Sequence, residues 1–395
     1  MTFRRLGLVC AMLAAVVAVA SAQGTPQLAS SYPYQVYVPV AVCNPRYTAY
    51  LPIFGGTESV VPGAAILPAS AVPLPFVDSR PVSDCRGMVR RVGENLELDG
   101  QPFLFVGVNV SYLAAPEFPQ SEVELLLATL ANSGVTVVRI WVKPDSDISR
   151  LSYILDLGRQ HHLRFIVTLQ DYYFWKDARW FKTTYREVDL PHVRALVSQF
   201  ADRPEILMWE LMNEPGCGND DWSPNCTEAV YEWAKALSVE IKALDPCHLV
   251  SVGTVGTGWI EAEEDLFRRV NALPTVDVVS VHRPTYRGCE AELRIAHELG
   301  KPVFYGEVYH QAYKENCRPL NSNALDERAV VIAEDLRRAW ENGVDGYLLW
   351  DYAYGALERP DGQIQYFCGI YGYAADDPAW EVLRRAPVTR TGFDN

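Results

Sequence analysis

Two glutamates in this chain stand where a reacting bond could lie between them. Glu214 closes the run Ile206-Leu207-Met208-Trp209-Glu210-Leu211-Met212-Asn213-Glu214-Pro215, and Glu307 closes Pro302-Val303-Phe304-Tyr305-Gly306-Glu307. Both follow short apolar stretches that read as buried strands. Pro215 has no N–H for a ladder and stops the first of them. A carboxylate at the carboxyl end of a strand lies where barrels and open α/β sheets keep their chemistry. Two such carboxylates facing each other suit glycosidic bond hydrolysis: one, protonated, donates to the leaving oxygen, and the other, ionised, attacks the anomeric carbon. Arg139, near the end of a third apolar run, is the cation suited to keep the attacking carboxylate ionised, or else a salt-bridge partner at the mouth of the fold. Asn213 suits a hydrogen bond to a sugar 2-hydroxyl, or a strand-end turn. Taken alone, Asn213-Glu214-Pro215 would equally open a helix, with Glu214 at its positive end.

The elements that must position these residues alternate along the chain. Strands are expected at 103–109, 135–141, 164–169, 206–213, 249–253, 276–282, 302–307 and 346–351. Helices are expected from Ser121, where Ser121-Glu122-Val123-Glu124 reads as a capping box, and at 148–161, 189–201, 227–244, 261–271, 288–299, 325–342 and 376–385. A hairpin through Val89–Gly100 precedes them. Eight strand–helix units in about 300 residues predict a (β/α)8 TIM barrel over 88–395. A doubly wound open sheet is the competitor, but no Gly-rich phosphate turn follows the first strand. In a closed eight-strand ring the fourth and seventh strands face each other across the mouth, so Glu214 and Glu307 would point into one pit.

Composition narrows the partners. A net charge of −14 argues against nucleic acid, which calls for a basic face. With 10 Trp and 21 Tyr, some rings are available to stack on sugar faces. Arg4 and Arg5, the apolar run Leu8 to Ala20 and the small residues Ala20-Ser21-Ala22 read as a signal peptide over 1–22, predicting a secreted protein with no membrane association after cleavage. Beyond Cys10, eight cysteines remain, an even number that suits disulfides in an exported chain. The expected pairs are Cys217 with Cys226, Cys43 with Cys85, and Cys289 with Cys317. No cysteine spacing fits zinc, and neither metal nor cofactor is expected. Residues 23–87 form a Pro-rich segment in which no helical period survives. Tyr34–Val40 and Tyr47–Ile53 read as two short edge strands, so the segment is an extension, a small sheet or a flexible linker.

At this point the chain resembles glycoside hydrolase family 5, within clan A. Trp209-Glu210-Leu211-Met212-Asn213-Glu214-Pro215 is similar to the family's strand-four signature, and Leu98-Asp99-Gly100-Gln101-Pro102-Phe103-Leu104-Phe105-Val106-Gly107-Val108-Asn109 to the opening of its endo-β-mannanase branch. Arg139-Ile140-Trp141, Gly306-Glu307 and Trp350 follow in the family's order. The resemblance implies Glu214 as acid/base, Glu307 as nucleophile, Arg139 and Asn213 as supporting residues, and Trp350 as the floor under the sugar at the cleavage point, where plain core is the alternative. His282 matches the histidine closing strand six of the clan, where a satisfied buried histidine is the alternative. Two departures stand out. The family's tyrosine two residues past that histidine is Pro284 here, leaving Tyr286 or Tyr305 to substitute. Mannanases often carry paired Asn and Trp after strand three, where this chain has Gln170-Asp171-Tyr172-Tyr173-Phe174-Trp175, with Trp175 as a further sugar-binding candidate. The expected function is that of a monomeric retaining hydrolase of a β-linked polysaccharide, β-1,4-mannan first and a β-1,4-glucan next, with a non-catalytic carbohydrate-binding barrel as the third reading. Endo and exo action are both left open by the loops.

Overall fold

The computed structural model describes residues 36–40, 49–53, 85–171, 176–217, 224–257, 263–284, 289–313, 318–353, 355–358, 364–367 and 371–388. The chain divides into two compact units, Met1–Pro75 and Phe76–Asn395. In the first unit, Val36–Val40 pairs antiparallel with Ala49–Ile53, the two short strands expected from the sequence.

The second unit is a parallel eight-stranded barrel. Its strands are β1 (Phe105–Asn109), β2 (Val137–Trp141), β3 (Arg164–Thr168), β4 (Ile206–Glu210), β5 (Leu249–Ser251), β6 (Val279–Pro284), β7 (Val303–Tyr309) and β8 (Gly346–Leu349). They run in the order β5-β4-β3-β2-β1-β8-β7-β6. The two ends of that row meet through a parallel bridge, Ser251 to Val278, and through Asp277 and Val278 N–H groups on the Val250 carbonyl, which closes the ring. A helix follows each strand: α1 (Gln120–Asn132), α2 (Ile148–His161), α3 (Leu190–Phe200), α4 (Pro224–Leu244), α5 (Glu263–Asn271), α6 (Glu290–Glu298), α7 (Ala324–Glu341) and α8 (Ala379–Arg385).

The strands read as continuous apolar runs because both faces are buried. Outward residues such as Val106, Val138, Ile140 and Val167 join the core under the helices. Inward ones, including Phe105, Val137, Ile166, Met208, Phe304 and Leu348, fill the lower barrel. The three-stranded sheet of Arg90–Val92, Asn95–Leu98 and Gln101–Pro102 lies under this layer, and its Leu96 and Leu98 belong to the same cluster. The hairpin expected there is present, with Val92 paired to Asn95.

Three expectations need correction. Helix α1 starts at Gln120 behind Pro119, which makes no side-chain cap, so Ser121 is inside the first turn rather than capping it. Proline's fixed φ before the first turn supplies the geometry instead. Strand β4 ends at Glu210, not at 213. Beyond it the chain splays between its neighbours: Leu211, Met212 and Glu214 donate to Ser251, Val252 and Gly253 carbonyls, while Asn213 donates to Gln170. Cys85 pairs with Cys247, not with Cys43. The chain enters the barrel from below, where Cys247 precedes β5, and this brings the two Cα atoms within 5.4 Å. The pair Cys217–Cys226 forms as expected. The pairing of Cys289 with Cys317 falls outside the described residues.

Candidate active site

The period of two along each strand turns every second residue inward. At the lower level those residues are apolar; one and two pairs higher they are Asn109, Arg139, Thr168 and Glu210, all fully buried. A buried charge without partners is costly, so each of these groups must be satisfied by the others. Arg139 does most of this. Its Nε donates to Glu210 Oε1 at 2.7 Å, its Nη1 to Asn109 Oδ1 at 2.9 Å and to Glu307 Oε1 at 2.7 Å, and its Nη2 to Asn213 Oδ1 at 2.9 Å. Thr168 Oγ1 adds a 2.9 Å bond to Glu210 Oε1. Asn109 Nδ2 donates in turn to the Gly306 and Leu349 carbonyls, tying β1 to β7 and β8.

Glu307 reaches this cluster through a break in β7. Phe304 faces the barrel interior and Tyr305 the helices, so strict alternation would turn Glu307 outward. The register slips against β6 between Val281 and His282 and against β8 between Tyr305 and Val308, and Glu307 turns inward. Such an irregularity re-aims a side chain at a site. Gly306 makes it possible, since a Cβ there would come within 2.8 Å of Ser280 Oγ and 2.9 Å of His282 Nε2.

Glu214 approaches from the other side. It sits at φ +48°, a left-handed conformation that is costly for a residue with a Cβ and is typical of functional positions. His282 Nδ1 lies 2.8 Å from Glu214 Oε1 and 3.4 Å from Glu307 Oε1. One carboxylate oxygen from each glutamate and one ring nitrogen of His282 all lie within 4.8 Å of one another. That trio is spaced to hold a metal ion, but Arg139, donating to Glu307, already supplies a positive charge there.

Burial sets the proton affinities. Glu307 is pushed up to about 7 by desolvation, which outweighs the pull of His282 and Arg139. Arg139 therefore contacts the carboxylate as expected but does not hold it low, because desolvation, with the charge of Glu214 beside it, outweighs the pull of the guanidinium. The same two carboxylates more than offset the cost of burying Arg139 and keep it protonated. Desolvation drives His282 down to about 4, so the imidazole is neutral at neutral pH.

The remaining candidates divide. Trp350, half-buried beyond β8, stands edge-on to Trp141 at 5.8 Å, and the Arg139 guanidinium lies 4.4 Å from the centre of the Trp141 ring. Trp141 also lines a cleft of about 190 Å³ together with Tyr112, Glu117, Lys143, Asp145 and Asp171. Tyr305 does not turn toward Glu307; its ring packs against Tyr347 and under Arg283 on the helix side of β7. Trp175 and Tyr286 lie outside the described residues. Glu210, Asn109, Thr168, Trp141 and Asp171 were not singled out as site residues from the sequence. The charge of Glu210 inside an apolar strand was the signal that could have exposed it, because a buried carboxylate demands a cation.

A closed parallel barrel with two glutamates and an arginine converging at its carboxyl-end mouth defines a glycoside hydrolase. The family model for cellulase (glycosyl hydrolase family 5) matches residues 96–351, and the chain belongs to that family. A protein of Aspergillus oryzae named "Probable mannan endo-1,4-beta-mannosidase A" is 22% identical over 368 residues, covering 77% of this chain and 90% of the relative. "Mannan endo-1,4-beta-mannosidase 8" of Oryza sativa subsp. japonica is 24% identical over 357 residues, covering 70% of this chain and 94% of that protein. The solved endo-1,4-beta-mannanase of Rhizomucor miehei superposes with a TM-score of 0.60 at 21% identity, over 75% of this chain and 97% of its own.

Proposed function

We propose that this chain is a secreted, retaining endo-β-1,4-mannanase. The observation that carries the mechanism is the approach of the Glu214 and Glu307 oxygens within 4.8 Å. Retaining enzymes keep their carboxyl groups about 5–5.5 Å apart, whereas inverting ones leave about 6.5–9.5 Å for a water. In the first step a Glu307 oxygen bonds to the anomeric carbon as the glycosidic C–O bond breaks. Glu214 gives its proton to the departing oxygen, and the sugar is left as an ester of Glu307. In the second step Glu214 takes a proton from water, the water oxygen bonds to the anomeric carbon, and the ester C–O bond breaks. Glu307 returns as a carboxylate and the product keeps its β configuration. Arg139 holds Glu307 in place, Asn213 binds the sugar 2-hydroxyl, His282 shares Glu214's proton environment, and Trp350 with Trp141 supports the sugar ring.

Mannan and internal cleavage rest on the names of the relatives from Aspergillus oryzae and Oryza sativa. The residue 1–22 signal pattern supports secretion, as do the bridges Cys85–Cys247 and Cys217–Cys226, which suit an oxidising compartment. The family's cellulase description keeps β-1,4-glucan as the second reading. A panel of β-1,4-manno-, gluco- and xylo-oligosaccharides with product-size analysis tests this. Mid-chain cleavage of mannohexaose, with kcat/KM at least about 100-fold above that for cellohexaose, is expected, a gap that a site built around one hydroxyl can supply. Preference for cellohexaose would move the assignment to the glucanase reading, and release of single terminal sugars alone would remove the endo assignment.

A further inference from the structure

Asn213 is clasped by a dipeptide that sits where the mannanase branch often carries Asn and Trp. The Gln170 carbonyl accepts the Asn213 backbone N–H at 2.8 Å, and Asp171 Oδ1 accepts a hydrogen from Asn213 Nδ2 at 3.1 Å. At the other end of the same amide, Oδ1 accepts from Arg139 Nη2 at 2.9 Å. The two partners agree on one orientation. A flipped amide would set N–H against guanidinium N–H and oxygen against carboxylate, repulsive at both ends. Asp171 is itself anchored: its backbone N–H donates to Gln170 Oε1 at 2.8 Å, and Gln170 Nε2 donates to buried Asp189 Oδ1 at 2.8 Å.

We propose that Asp171 is a positioning residue that orients the Asn213 amide, so that the second Nδ2 hydrogen is aimed at the sugar 2-hydroxyl during the reaction. The proposal rests on the assignment of Asn213 to that hydroxyl. Among the described residues, one hydrogen of the amide is committed to Asp171 and the oxygen to Arg139, which leaves one donor in a fixed direction at the mouth. A donor held in advance stabilises charge developing on the sugar without reorganising during the reaction. Truncating Asp171 leaves the contact with Arg139 intact but releases the nitrogen end, so the donor loses its aim while the fold and Glu307 are undisturbed. The effect belongs to kcat more than to KM, because contacts to the 2-hydroxyl strengthen in the transition state.

Kinetics on matched activated β-glycosides with a 2-hydroxyl and with a 2-deoxy sugar test this in Asp171→Ala, Asp171→Asn, Asn213→Ala and the Asp171→Ala/Asn213→Ala double variant. Asp171→Ala is expected to lower kcat about tenfold on the 2-hydroxyl substrate, the equivalent of about one hydrogen bond. Its KM and its rate on the 2-deoxy substrate stay near wild type. Asp171→Asn, whose carbonyl oxygen still accepts, restores most of the loss. Asp171→Ala adds nothing once Asn213 is gone. Should Asp171→Ala not fold, Asp171→Ser provides a second truncation with a hydroxyl too short to reach the amide. Equal losses on both substrates, or full additivity with a discriminating Asn213→Ala, overturn the positioning role alone. An Asn213→Ala enzyme that treats both substrates alike overturns the 2-hydroxyl assignment and this proposal with it.

Discussion

Arg139 pairs with both Glu210 and Glu307, while burial is the main influence on how Glu307 titrates. Two carboxylates on one buried guanidinium leave the cluster one charge short, and burial pushes Glu307 up to about 7. As the proposed nucleophile Glu307 must be ionised, so kcat/KM should fall as pH drops through about 7, close to tenfold per unit on the acid side. Replacing Glu210 with Gln keeps a hydrogen-bond acceptor but leaves Arg139's charge to Glu307 alone. The acid limb of the pH–kcat/KM profile is then predicted to move to lower pH by about one unit. A limb that stays in place in Glu210→Gln would show that Glu210 does not set the charge at Glu307. Linkage carries the same sign into stability. The folded state holds a proton at Glu307 that the unfolded chain, with a value near 4.5, gives up earlier, so this residue's contribution declines as pH rises from about 4.5 to 7.

At the scale of elements, the phase break in β7 decides whether the two glutamates meet. Gly306 has Ser280 Oγ and His282 Nε2 where a methyl group would stand, and both belong to buried side chains of β6. Gly306→Ala is predicted to displace His282 or Glu307 and lower kcat by about 100-fold, since misplacement by about 1 Å costs that much. Circular dichroism should show the barrel intact. A variant within about twofold of wild-type kcat would mean that β7 can absorb the methyl group. This break was not legible in the sequence, because Tyr305-Gly306-Glu307-Val308 gives no sign of which residue changes face. The regular parts were legible for the converse reason. Helix α2 spans Ile148–His161 as its period of 3.6 predicted, and strands buried on both faces show as apolar runs. The cap of α1 and the end of β4 were missed because proline geometry and cross-strand carbonyls, not side chains local in sequence, settled them.

At the scale of the whole barrel, chemistry and stability occupy opposite ends. The upper mouth holds the charged cluster. The lower end is sealed by the Arg90–Pro102 sheet and by the disulfide from Cys85 to Cys247, which closes a sequence separation of 162. Sequence spacing could not reveal that pairing, since Cys43 is nearer along the chain and only the entry path places Cys85 below β5. Because the bridge lies far from the mouth, Cys85→Ala/Cys247→Ala is predicted to lower the unfolding free energy by about 2–4 kcal/mol. It should leave kcat near wild type, as read by denaturant titration and steady-state rates. A large loss of kcat without loss of stability would show that the two ends are coupled.

The double displacement proposed for Glu214 and Glu307 is tested most directly by the anomeric configuration of the first-formed product, followed by proton NMR during hydrolysis of a β-linked oligosaccharide. The β anomer should appear first and the α anomer only later, by mutarotation. Initial release of the α anomer would mean that water attacks directly, which contradicts the nucleophile assigned to Glu307 and the short carboxylate spacing read from the site.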